Sequence, residues 1–70
     1  MSVTYKKLWI LLAERELKKT DLIELCGISP VTLTRLGKNE DVSMEVLQKI
    51  CKTLECNIGD IVDYVADEQL

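Results

Sequence analysis

Val31, Thr34, Arg35 and Lys38 share one side of a short helical segment, while Leu33 and Leu36 fall on the other at about 100° per residue. A guanidinium with paired N–H donors, an ammonium and a small apolar side chain on one face are equipped to meet a hydrogen-bonding, negatively charged partner. The residues that must position this face lie just upstream. Leu22, Ile23, Leu25 and Cys26 recur at the spacing of one buried helical stripe, and Gly27 supplies the positive φ that ends it. Ser29 then caps a new helix, with Pro30 at its first position, where no N–H is needed. The stretch from Lys18 to Asn39 therefore reads as helix, glycine turn, helix: a helix-turn-helix, which points to duplex DNA.

Other chemistry finds little support. The chain has no histidine, its three cysteines (Cys26, Cys51, Cys56) form no CxxC pair, and three thiols alone do not complete a four-ligand zinc site. Reduced, mostly buried thiols are expected, with Cys56 in a turn where an oxidant could reach it. Asp60, Asp63 and Asp67 would fall at i, i+3 and i+7 of a last helix, a spacing read as a solvated acidic face. No glycine-rich phosphate loop or nucleophile elbow is present, so neither an enzyme nor a cofactor or metal site is expected.

The 70 residues suit one domain spanning 1–70 with a modest core. Apolar residues make up 47% and charged ones 30%, which favours a folded unit, and aromatics at 4% leave the core aliphatic. The longest apolar run, Leu8 to Ala13, is too short for a bilayer, and no signal-peptide pattern is visible, so a cytoplasmic location without a membrane partner is expected. The net charge of −3 is opposite to what nucleic acid attracts but conceals an asymmetry. Residues 1–39 carry seven basic and four acidic side chains, a net of +3, whereas residues 40–70 carry two basic and eight acidic, a net of −6. Fields act over a Debye length of roughly 8 Å, so the local excess around residues 18–39 matters more than the sum.

The rest of the chain supplies the scaffold. Val3 to Tyr5 is a short β-capable stretch; Thr4 then caps a first helix from Tyr5 to about Glu16, whose stripe is Tyr5, Leu8, Trp9 and Leu12 and whose Ile10 is left exposed. The second helix begins at Lys19 or Thr20. The third covers Pro30 to about Leu36, with Gly37 as its stop. Ser43 caps a fourth with a stripe of Leu47, Ile50, Cys51 and Leu54, and Asn57 caps a final short helix, with Asp60 placed to accept from the cap N–H and Ile61, Val62 and Val65 as its apolar side. Residues 66–70 are expected to fray. The fold class is all-α: a compact five-helix bundle.

Through TDLIELCGISPVTLTRLGKNE and SMEVLQKICKTLECNIGDIVDYV, nearly the whole chain resembles the lambda-repressor-like DNA-binding domain of the Cro/CI-type (XRE) regulators, above all their small stand-alone members. The resemblance implies base contacts from Ser29, Pro30, Val31, Thr32 and Arg35. Arg35 suits guanine O6 and N7, and Val31 a thymine methyl. It implies backbone contacts from Lys18, Lys19, Thr34, Lys38 and Asn39. Four positions depart from the family pattern: Lys19 and Pro30 replace common glutamines, Ile23 a small alanine and Gly37 a frequent glutamate. The implied function is sequence-specific binding of a double-stranded operator by a homodimer, as a bacterial or phage repressor without a small-molecule effector. The rival reading is a protein-interaction module, an antirepressor or antitoxin with the same fold.

Overall fold

Tyr5, Leu8 and Leu12 recur at helical spacing and all three are buried, so the first helix wraps its stripe onto the core. In the computed structural model, which describes residues 2–65, this helix is α1 (Lys6–Glu14). It is shorter than the sequence pattern suggests. Tyr5 occupies the cap position, and Thr4, one residue earlier, still serves the helix end because its Oγ1 accepts from the Lys6 N–H at 3.3 Å. At the other end Glu16 turns left-handed at φ 59°, which stops the helix before it. Trp9 is half-buried, and Ile10 is exposed as expected.

Three further helices follow: α2 (Asp21–Cys26), α3 (Pro30–Gly37) and α4 (Met44–Leu54). Before α2 the chain winds through a tighter turn in which Lys18, Lys19 and Thr20 carbonyls accept from Asp21, Leu22 and Ile23, while Asp21 Oδ2 accepts from the Lys18 N–H at 2.8 Å. Gly27 ends α2 at φ 72°, as its spacing predicts. Leu22 and Cys26 are buried and Ile23 half-buried, but Leu25 is half exposed, because a six-residue helix presents only one narrow face to α3 and α4. Gly37 is not the stop expected of it. It lies inside α3, and Asn39 takes the left-handed conformation, at φ 58°.

The five-helix count is overturned at the C-terminal end. Asn57 does open a turn, and Asp60 Oδ2 accepts from its N–H at 2.9 Å, but this 3-10 turn covers only Ile58–Asp60. The chain then straightens into β2 (Asp63–Val65), which pairs antiparallel with β1 (Ser2–Thr4) in the register Ser2 to Val65, Val3 to Tyr64 and Thr4 to Asp63. Four α-helices, one 3-10 turn and a two-stranded ribbon are thus the elements among the described residues. Lys7 secures the junction, its Nζ 3.2 Å from Asp63 Oδ1 and donating to the Gly59 carbonyl at 3.2 Å. The fraying expected of residues 66–70, and Asp67, lie outside the described residues.

One aliphatic core joins all of this: Tyr5, Leu8, Leu12, Leu22, Cys26, Ile28, Leu36, Leu47, Ile50, Leu54 and Ile61. Ile28, in the turn between α2 and α3, belongs to it at 5% exposure and plugs the angle between those helices. No helix among the described residues is long and apolar enough to cross a membrane.

Candidate nucleic-acid interface

The outward face of α3 begins at its cap. Ser29 holds an extended backbone, its Oγ accepts from the Thr32 N–H at 3.1 Å, and the two hydroxyl oxygens lie 3.0 Å apart. Pro30 follows at the first helical position, and no acidic residue occupies the first turn, so the positive end of this helix carries no carboxylate of its own. Leu36 anchors the inner face and is fully buried, with Leu33 half-buried beside it. These anchors fix the rotation of the helix about its axis.

That rotation sends Val31, Thr34, Arg35 and Lys38 to solvent, as their spacing predicts. Val31 is 64% exposed, and Arg35, one turn further on, is exposed with no ion pair among the described residues. Side chains at i and i+4 lie one above the other, so Val31 and Arg35 form a single ridge about one helical turn long. Thr34 points its hydroxyl back into the helix, donating to the Pro30 carbonyl at 3.0 Å. It offers a partner lone pairs, not a donor. Ser29 and Pro30 are exposed, and Thr32 is half-buried.

The flanking cations are arranged differently on the two sides. At the start of α2, Lys18 and Lys19 are exposed, but Asp21 already accepts from the Lys18 N–H, and Asp21 and Glu24 fill the first turn. The backbone end of α2 is therefore partly neutralised, which leaves the lysine side chains as its means of attracting an anion. Lys19 Nζ sits 4.4 Å above the ring centre of Trp9, a cation–π contact that ties the start of α2 to α1. After α3, Lys38 and Asn39 are exposed; the Asn39 Oδ1 accepts from the Tyr5 N–H at 3.2 Å, so its amide NH2 is the group left to face outward.

All ten sequence-derived positions thus lie on one continuous stretch from Lys18 to Asn39, and all but Thr32 are exposed. The Lys19–Trp9 and Asn39–Tyr5 contacts carry no local sequence signal, because they join residues brought together only by packing. Asp60 and Asp63 share no helical face: Asp60 serves the Asn57 N–H and Asp63 pairs with Lys7 from a strand.

With this geometry the chain has clear relatives. Residues 7–67 match the Cro/C1-type HTH DNA-binding domain. An HTH-type transcriptional regulator, YozG of Bacillus subtilis (strain 168), described as uncharacterized, is 41% identical over 61 residues, covering 84% of this chain and 73% of that one. The crystal structure of the transcriptional regulator VanUg superposes with a TM-score of 0.91 at 47% identity, covering 94% of this chain and 88% of the other.

Proposed function

Because the chain belongs to the Cro/C1-type HTH DNA-binding domain family, we propose that it is a transcriptional regulator that reads a short operator by placing α3 in the major groove. The observation that carries this reading is the Val31–Arg35 ridge, exposed and without an ion pair among the described residues, on a helix whose opposite face is fixed in the core. In the groove, Arg35 donates in pairs to guanine O6 and N7 and Val31 packs on a thymine methyl, with Ser29, Pro30 and Thr32 at the edge of the same surface. Lys18, Lys19, Thr34, Lys38 and Asn39 face the phosphates on either side and set the register without reading sequence.

The chain works as one binding domain spanning 1–70, in the cytoplasm, as a repressor that occupies its operator. A homodimer presents two α3 helices about 34 Å apart, one turn of B-DNA, so the operator is an approximate palindrome. Regulation then comes from protein concentration, dimerisation or a partner.

A salt titration tests this. A dimer neutralising about six phosphates has a log–log slope of affinity against salt near −5. Selection from random duplexes gives the operator itself. A flat salt response with no enriched sequence removes the DNA reading and leaves the acidic C-terminal half, with its net charge of −6 over residues 40–70, as the surface for a basic protein partner.

A further inference from the structure

Three helices end in the same way. The N–H of Leu17 returns to the Leu12 carbonyl at 2.9 Å, that of Glu40 to Arg35 at 2.9 Å and that of Cys56 to Cys51 at 3.1 Å. Each closure crosses a left-handed residue, Glu16, Asn39 or Glu55. In this motif the side chains at the two ends of the long hydrogen bond meet. At α1 they are two leucines, an ordinary apolar contact. At α4 they are two thiols.

We propose that Cys51 and Cys56 form a redox-active dithiol, a modification site that closes reversibly to an intramolecular disulfide across the C-terminal turn of α4. Both residues are half-buried and pack against the core, whereas Cys26 is buried at 8% exposure in α2. A disulfide requires Cα atoms about 4.4–6.8 Å apart, a separation that a direct backbone hydrogen bond between the two residues brings within reach. Access comes from a cleft of about 380 Å³ between α1 and this turn, where Ile10, Leu11 and Arg15 face Cys56. Burial, and then the neighbouring Cys51 sulfur, hold the Cys56 thiol above the ordinary cysteine range, with Arg15 pulling the other way. The Cys56 thiol is therefore slow to ionise, and the pair responds to sustained oxidant.

The oxidant is a peroxide. One sulfur, as the thiolate, attacks a peroxide oxygen; the O–O bond breaks, and a sulfenic acid and one water form. The second sulfur attacks the first, the S–O bond breaks, the S–S bond forms, and a second water leaves. The two thiols lose two protons and two electrons, and hydrogen peroxide takes up both to become two waters. Thiol exchange with dithiothreitol reverses the bond.

The test is independent of DNA binding. The full chain is treated with hydrogen peroxide, denatured, alkylated with iodoacetamide and weighed. The reduced chain takes three alkyl groups, one for each cysteine. The oxidised chain is expected to carry no covalent link to a second chain, to have lost two hydrogens and to take one alkyl group, mapped to Cys26, with dithiothreitol restoring all three. Cys51→Ser and Cys56→Ser should each take two alkyl groups whether or not peroxide was added. Alkylation of all three cysteines after peroxide, a linkage that includes Cys26, linkage only between chains, or added oxygen on Cys51 or Cys56 without a link overturns the proposal. The wild-type mass and peptide map decide it even if a serine variant does not fold.

Discussion

The Tyr5 hydroxyl donates to the Glu40 carbonyl at 2.7 Å, joining the start of α1 to the loop that follows α3. The same residue's backbone N–H donates to Asn39 Oδ1, so two bonds from Tyr5 hold the loop that carries the proposed phosphate contacts Lys38 and Asn39. Tyr5 is itself 2% exposed, which makes the clamp part of the core. The position of the loop therefore depends on a residue more than thirty positions away in the chain.

Tyr5→Phe keeps the ring and removes the clamp's hydroxyl, so we expect a loss of about 1 kcal/mol in urea unfolding at neutral pH. Burial first, then the Asp41 charge, raise the Tyr5 pKa above the ordinary 10.0, while a backbone hydrogen bond from Val42 opposes them. The folded chain thus keeps this proton where the unfolded chain has lost it. Stability from this group is intact below pH 10 and falls as pH rises through the folded value. Cys56, raised from 9.0, acts in the same direction. The wild type should therefore lose more stability than Tyr5→Phe above pH 10, and parallel curves for the two would contradict the assignment.

Arg35→Ala and Lys19→Ala should separate reading from positioning. The first is expected to cost roughly 1–3 kcal/mol on the preferred operator and to relax preference at one base pair. The second should weaken all sequences alike and reduce the salt slope by about 1 for each lysine lost from the phosphate contacts. Binding curves on the selected operator and on a scrambled duplex measure both. Equal losses with unchanged preference would remove Arg35 from the reading face.

Ser29 and Ser43 cap α3 and α4 with the same geometry, accepting from Thr32 and Val46 N–H at 3.1 and 3.2 Å. Replacing either by alanine should cost about 1 kcal/mol of stability. Only Ser29→Ala should also weaken operator binding measured well below the melting temperature. Matching binding losses from the two variants would mean that Ser29 acts through stability alone.

Gly27 and Glu55 make opposite predictions at the same backbone conformation. A Cβ at Gly27 would meet nothing within 4 Å, so Gly27→Ala should cost only the left-handed backbone penalty, about 1–2 kcal/mol. Glu55 already bears that penalty at φ 54°, and Glu55→Gly should raise stability by roughly 0.5–1 kcal/mol. Thermal unfolding of the two variants gives the signs directly.

What was legible in the sequence was local. Ser29, Pro30, Ser43 and the Asn57–Asp60 pair announce helix starts because a cap is satisfied within three residues. Gly27 announces a stop because glycine takes the left-handed conformation without the cost of about 1–2 kcal/mol that a Cβ adds. The outward ridge of α3 follows from period and from the burial of Leu36. Other features were hidden because distant contacts chose between local alternatives. Ile61, Val62 and Val65 fit the apolar side of a short helix, yet Asp63–Val65 became a strand because Ser2–Thr4 offers it a backbone partner from the other end of the chain. The amino-acid order alone thus settled the helix-turn-helix and the residues it presents. Packing alone settled the ribbon that replaced the fifth helix, the Tyr5 clamp on the loop after α3 and the meeting of Lys19 with Trp9, since each of these energies exists only once remote segments touch.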